Sequence, residues 1–246
     1  MNISILLKQL NKGLTHYFLP FNCILCSEET GRKLDLCIDC EEHLPWLKNI
    51  CIYCAAPLSF KTESRCGTCL KKPLPFHKIC IIFSYTQIIK KLITGLKFQK
   101  RLIYAHILGS LLAEKISLQY QKDNFPDLII PVPLHKKRLY QRGFNQAMEL
   151  ARPISKRLNI PIDYKGCTRV HNTLAQSRLP ANQRATNVKN AFAIQKYLSS
   201  KQHIALLDDV MTTGHTLIEL SRALYYVGVK RIDVWCCARR ALFGAQ

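Results

Sequence analysis

The chain has 246 residues, 48% of them hydrophobic, which allows one large domain or two unequal ones with a buried core and excludes a disordered tail protein. Its formal net charge of +20 is unevenly placed, since residues 1–80 hold 10 Lys and Arg against 7 Asp and Glu and the remainder holds 26 against 9. Such an excess suits polyanionic partners (nucleic acid, nucleotides or an anionic membrane), and no apolar run approaches the roughly 20 residues of a membrane-spanning helix.

At the N-terminus, Ile3, Leu6, Leu7, Leu10, Leu14, Tyr17 and Phe18 fall at helical spacing, with Lys8 and Lys12 between them. The pattern predicts an amphipathic helix, too short and too interrupted for a signal peptide. Packing against the rest of the protein is the expectation, and lying on a membrane surface is the alternative.

Eight of the 12 cysteines then form four C-x₂-C knuckles: Cys23/Cys26, Cys37/Cys40, Cys51/Cys54 and Cys66/Cys69. One such turn presents two thiolates to a metal, and two turns complete a tetrahedral Cys₄ zinc site. Four knuckles predict two structural Zn²⁺ sites. Disulfides would need an oxidising compartment, and an iron–sulfur cluster is a further Cys₄ alternative. Sequential pairing of the knuckles is simplest, and a crossed pairing also satisfies the spacing. So short a segment has little core, so metal would supply its folding energy. Cys80, Cys167, Cys236 and Cys237 lack this spacing and read as buried thiols.

The run from Lys71 to Pro75, with Pro73 and Pro75, reads as a linker. The expected domains are therefore 1–72, the N-terminal helix with the knuckles, and 73–246. In the second, strands are predicted at Ile79–Tyr85, Asp127–Val132, Ile162–Thr168, His203–Asp208 and Arg231–Cys237. Helices are predicted at Gln87–Phe98, Leu102–Tyr120, Phe144–Leu158 and Leu217–Val227, with Pro153 bending the third and Gly228 capping the last. This alternation predicts a mostly parallel sheet with helices on its faces.

Two basic segments lack a core role. Pro133–Gln146 follows a strand and carries Lys136, Lys137, Arg138 and Arg142, a concentration of donors suited to pyrophosphate. Gln176–Val188, with Arg178 and Arg184, has no apolar periodicity and reads as a loop able to close over a ligand. Lys97 adds a cation near the first helix, and Phe98, Tyr104, Tyr140 and Phe144 lie among these charges, where they could stack on bases.

The stretch from His203 to Leu217 is the most informative. A buried strand runs into Asp208 and Asp209, followed by Val210, Met211, Thr212, Thr213, Gly214, His215 and Thr216, and then an amphipathic helix. The strand end fixes both carboxylates at the carboxyl edge of a sheet, where ligands of open α/β folds bind. The helix N-terminus and the threonine hydroxyls favour phosphate, and Gly214 permits close backbone approach. The two acids can hold a ribose diol or the water shell of Mg²⁺. Neither G-x-x-x-x-G-K-[ST] nor G-x-G-x-x-G occurs in the chain.

Residues 204–216 resemble the signature of type I phosphoribosyltransferases, which bind phosphoribosyl pyrophosphate (PRPP). With the knuckles, Arg142–Gln146, and Gln176, Arg184 and Asn187, the chain closely resembles the ComF/GntX family from Cys23 to about Arg240. That resemblance implies a type I phosphoribosyltransferase-like parallel sheet flanked by helices, preceded by a double zinc ribbon. It implies a bacterial cytosolic protein of natural competence or DNA utilisation that handles incoming single-stranded DNA and binds PRPP with Mg²⁺, with peripheral contact to the inner-membrane DNA-uptake machinery as a further expectation. An active transferase working on a base or amine acceptor is the alternative, with Asp208 and Asp209 as its catalytic pair. No acceptor pocket is visible in the sequence. A pure scaffold for a membrane DNA channel is the third reading.

Overall fold

The computed structural model describes residues 21–58, 65–120, 124–171 and 190–240. The N-terminal amphipathic run and the segment with Arg178 and Arg184 lie outside the described residues. The chain divides into two compact units, Met1–Leu44 and Pro45–Gln246. The division precedes the second knuckle pair instead of falling at Pro73 and Pro75. The physical reason is backbone pairing: Leu47 N–H donates to the Ile82 carbonyl at 2.8 Å and Ser84 N–H to the Pro45 carbonyl at 2.9 Å. The Trp46 ring meets Phe83 with centroids 4.6 Å apart.

In the first unit, the Cys37 sulfur caps a short helix, α1 (Ile38–Glu42), by accepting from Cys40 N–H. Arg32 donates to the Leu36 carbonyl and pairs with Glu41 at 2.5 Å, holding the loop between the knuckles. In the second unit a helix of similar length, α2 (Gly67–Lys71), follows Cys66.

The main sheet has four parallel strands, β1 (Lys78–Ser84), β2 (Leu128–Pro131), β5 (His203–Met211) and β6 (Arg231–Arg239), in the order β1-β6-β5-β2. Near-continuous burial in β5 and β6 reflects helices covering both faces, as parallel sheets require. Around it pack α3 (Gln87–Gln99), α4 (Leu102–Gln119), α6 (Gln146–Leu158) and α7 (His215–Tyr226). The α/β class read from the sequence is the architecture found, with the cysteine knuckles ahead of the sheet. Cys80, Cys167, Cys236 and Cys237 are buried, and burial pushes the Cys80 thiol up to about 12.

Three predicted segments differ. Ile162–Thr168 is not one strand: Ile162 bridges Ile129, Asp163 then accepts from Lys165 and Gly166 N–H at 2.8 Å each, and β3 (Cys167–Arg169) pairs antiparallel with β4 (Phe192–Ile194). The Asp163 turn uses backbone donors that a strand would spend on a neighbour. The basic segment after β2 contains a helix, α5 (Lys136–Arg142), capped by the His135 ring and ended by Gly143 at φ +85°. Strand β5 runs three residues past its predicted end because β6 continues beside it, pairing Val210 with Ala238 and Met211 with Arg239.

Candidate functional site

The carboxyl ends of the strands open onto a cleft of about 230 Å³. Its walls include Tyr85 after β1, Val132 and Leu134 after β2, Arg169 at the end of β3, Asp208–Met211 of β5 and Arg240 after β6. Parallel strands all end on one side, so residues distant in sequence converge there.

Both aspartates line the cleft and their carboxyls interact with each other, so what distinguishes them is their other partners. Asp209 is buried, at 4% exposure. It forms an ion pair with Lys97 of α3 and accepts from Gln146 Nε2 of α6 at 3.3 Å. The Gln146 carbonyl oxygen in turn accepts from Arg142 of α5. Burial would raise the Asp209 carboxyl, but Lys97 and these donors hold it below its ordinary value. Asp208 is pushed well above its ordinary value by burial and by the adjacent Asp209 charge. Its Oδ1 accepts from Asp209 N–H at 2.8 Å. Asp209 is thus fixed by a cation, while Asp208 makes no ion pair among the described residues.

The loop after β5 turns sharply into α7. Gly214 is its N-cap at φ +80°, a left-handed conformation that favours glycine whatever the space around it. Thr212, Gly214, Thr216 and Leu217 line the cleft beside Val210 and Met211. Thr213 is turned toward His215, its hydroxyl 3.0 Å from Nδ1, and neither residue lines the cleft. The first N–H groups of α7 have no partner within the helix and present partial positive charge.

Cations converge opposite the aspartates. Lys97, Arg138 and Arg142 line the cleft, whereas Lys136 and Lys137 are exposed on α5 outside it. Arg142 lies over the Phe98 ring at 5.7 Å, and burial lowers its guanidinium. Arg169 was not singled out in the sequence. It is 7% exposed, and burial followed by the Arg138 charge lowers it to about 10, with Asp208 acting in the opposite sense. Among the aromatics, Phe98 and Tyr140 are exposed, but Tyr104 is buried with its hydroxyl accepting from Arg101 at 2.7 Å, so it cannot stack on a base.

The cysteines gather into two clusters, Cys23/Cys26/Cys37/Cys40 and Cys51/Cys54/Cys66/Cys69, with each set of sulfurs within 4.8 Å. The knuckles therefore pair sequentially. Neighbouring sulfurs lie 3.7 Å apart for Cys26 and Cys37 and 3.5 Å for Cys54 and Cys66. Zn–S bonds of about 2.3 Å require tetrahedral edges of about 3.8 Å, so both clusters fit Zn²⁺. Against the opposing effect of burial, backbone N–H groups lower Cys23 to about 6 and Cys51 to about 7, whereas burial raises Cys40, Cys54 and Cys69, so each cluster offers one ready thiolate and metal would displace the protons of others. Four protein ligands close each site, leaving a structural role.

Residues 14–70 match the model of the double zinc ribbon domain. The chain is 36% identical over 227 residues to competence protein F of Haemophilus influenzae, covering 90% of this chain and 98% of that protein. It is 33% identical over 224 residues to the DNA utilization protein YhgH of Escherichia coli K12, with the same coverage. With competence protein ComFC of Bacillus subtilis it shares 26% identity, covering 84% of this chain and 89% of that one. Among solved structures, purine phosphoribosyltransferase from Pyrococcus horikoshii aligns at TM-score 0.32 and 18% identity, over 55% of this chain and 80% of that one. A glutamine PRPP amidotransferase from Bacillus subtilis aligns at TM-score 0.36 and 16% identity over 54% of this chain, which spans a quarter (25%) of that longer protein. No helix among the described residues is long and apolar enough to cross a membrane.

Proposed function

Because the chain belongs to the ComF/GntX family of competence and DNA-utilisation proteins, we propose that it handles incoming single-stranded DNA in the cytosol and binds PRPP with Mg²⁺ in the cleft. The observation that carries this reading is the cleft itself: two aspartates at a strand end, a threonine–glycine loop at a helix N-terminus, and Lys97, Arg138, Arg142 and Arg169 on the facing walls. Asp208 and Asp209 serve the ribose hydroxyls, and the 212–216 loop takes the 5-phosphate. The cations take the pyrophosphate, with Arg178 and Arg184 as further candidates. Mg²⁺ would be held through water by Asp208 and the ligand's own oxygens, and it would neutralise pyrophosphate charge.

Lys136, Lys137 and the exposed Tyr140 on α5 form the DNA-facing surface, with the exposed Phe98 ring under Arg142 of the same helix. Lysines would track phosphates and the rings would stack on bases. Contact with the inner-membrane uptake machinery belongs to the same reading. A second reading, turnover of PRPP with a base or amine acceptor, is favoured by the same cations, which are placed to stabilise a leaving pyrophosphate while Asp208 and Asp209 hold the ribose.

The test is fluorescence anisotropy with labelled single-stranded DNA, with and without Mg²⁺ and PRPP, beside calorimetry with Mg²⁺–PRPP. DNA binding with a steep salt slope is expected, and Lys136→Gln/Lys137→Gln should reduce that slope by about 1.4, at about 0.7 per phosphate contact, with PRPP affinity unchanged. An unaltered slope removes α5 from the DNA path, and absent binding sinks the DNA reading. Asp208→Asn/Asp209→Asn should weaken PRPP binding, and unchanged affinity would overturn the pocket assignment.

A further inference from the structure

Strand β6 ends in a residue that a buried strand seldom carries. Arg239 is only 7% exposed. Its Nε donates to the Cys54 carbonyl at 2.9 Å, and its Nη1 donates to the carbonyls of Met211, at 3.1 Å, and Thr212. Burial lowers the guanidinium, so its placement has a cost that these bonds offset. The register of β5 and β6 brings it there: Met211 pairs with Arg239, and Arg240 N–H donates to the Met211 carbonyl at 3.0 Å.

The two ends of this bridge have different chemistry. Cys54 belongs to the second cysteine cluster, and its carbonyl is part of the knuckle turn, where Ala55 N–H donates to the Cys51 carbonyl at 2.8 Å. Ala55 takes a left-handed φ of +53° and is wholly buried in the same hydrophobic core as Met211 and Leu217. Met211 and Thr212 begin the loop that ends at the N-terminus of α7. A metal holding the Cys54 sulfur also fixes the Cys54 peptide. That peptide, through a rigid planar guanidinium, fixes the carbonyls from which the loop departs.

We infer that Arg239 is a positioning residue that couples the second cysteine cluster to the 212–216 loop, so that zinc at Cys51, Cys54, Cys66 and Cys69 and PRPP in the cleft each tighten the other's binding. The inference rests on the PRPP reading for its ligand but not for its bridge. The coupling is positive because zinc orders the loop's anchor beforehand, and the ligand then orders less of the chain. It is reciprocal, since both ligands bias one arrangement.

The experiment is an equilibrium competition of the full chain with a zinc-selective chelator, with and without Mg²⁺–PRPP. One of the two zinc ions should be held about tenfold more tightly when PRPP is present, within the usual range of coupling energies. Asp208→Asn/Asp209→Asn at the same PRPP concentration corrects for zinc bound by PRPP itself. Arg239→Lys keeps the charge but loses the fork, and it should abolish the shift while retaining both zinc ions and PRPP binding. A full shift in Arg239→Lys, or none in a wild-type chain that binds PRPP, overturns the coupling. If calorimetry finds no PRPP binding, the reading of the cleft fails. Hydrogen exchange then decides the bridge alone: the Arg240 amide, bonded to the Met211 carbonyl, and the Ile218 amide, bonded to the Gly214 carbonyl, lose protection when the second zinc is stripped from the wild type, or the bridge is wrong. That arm also decides the matter if Arg239→Lys does not fold.

Discussion

Adjacent carboxylates in one strand are asked to differ, and the difference is a property of two residues. Asp209 is held low by Lys97, so its contribution to stability is present above the unfolded value and lost only as pH falls through a still lower one. Asp208 is shifted the other way. It binds a proton more tightly folded than unfolded, so folding loses stability as pH rises above its ordinary value of 3.8, until the folded group ionises. Asp208→Asn removes that penalty and keeps an acceptor for Asp209 N–H. Its stability relative to wild type should therefore widen from pH 4 upward by about 1.4 kcal/mol per pH unit, levelling at the folded value. Over that range Asp209 contributes a constant, so denaturant melts of the pair isolate Asp208. A gap independent of pH, or a variant less stable throughout, would refute the account. The same variant should bind PRPP more weakly, because a site that stores like charge trades stability for function. The acidic pair and its loop were legible because their spacing is local. Arg169 and Arg239 were not, since a lone arginine at a strand end acquires meaning only from the strand that pairs beside it.

At the scale of elements, the contact of α4 with α6 fixes the wall behind Gln146. Gly109 of α4 makes it possible: a Cβ there would lie 2.5 Å from Pro153 Cγ and 2.6 Å from the Leu150 carbonyl oxygen. Helix propensity alone predicts that Gly109→Ala stabilises, by up to about 1 kcal/mol. Packing predicts the reverse, because both obstacles belong to the backbone or a rigid ring and the helices must separate, at about 1–3 kcal/mol. We expect packing to win, lowering the melting temperature by roughly 2–12 °C at about 2–4 °C per kcal/mol. An unchanged or raised melting temperature would show that the helices adapt. Periodicity located α3, α6 and α7 because each has an apolar stripe to bury, whereas α4 is apolar on nearly all sides and was legible as a long apolar run. It passed over α5, which buries no residue and owes its helix to His135 and Gly143 at its ends. It merged Ile162 with β3 because the intervening Asp163 turn is made by one side chain, which leaves the apolar pattern on either side intact.

For the whole molecule, the two cysteine clusters have the same chemistry but different consequences. The first lies in a unit whose described buried apolar residues are few, Cys23, Leu36 and Leu44 among them, so metal supplies most of its folding energy. The second shares a unit with the sheet: Ala55 sits in its core, and the chain before Cys51 runs along the edge of β1 through Pro45 and Leu47. Removing its metal should therefore be felt by the sheet. Cys54→Ser/Cys69→Ser is expected to bind one zinc ion and to lower the main thermal transition by several degrees, on the order of 2–4 °C for each kcal/mol lost. Cys26→Ser/Cys40→Ser should also retain one zinc ion, and its signature is rapid amide exchange confined to residues 21–44, where the knuckles supply the order. Elemental analysis fixes the zinc content of each variant, and exchange followed by proteolysis locates the loss. If Cys54→Ser/Cys69→Ser melted like the wild type, the second cluster would be an appendage, and the path from Cys54 through Arg239 to the loop would carry no energy. A lowered transition with faster exchange at the Ile218 and Arg240 amides would place the metal site and the phosphate loop within one cooperative unit. The second cysteine cluster would then be part of the machinery that shapes the cleft.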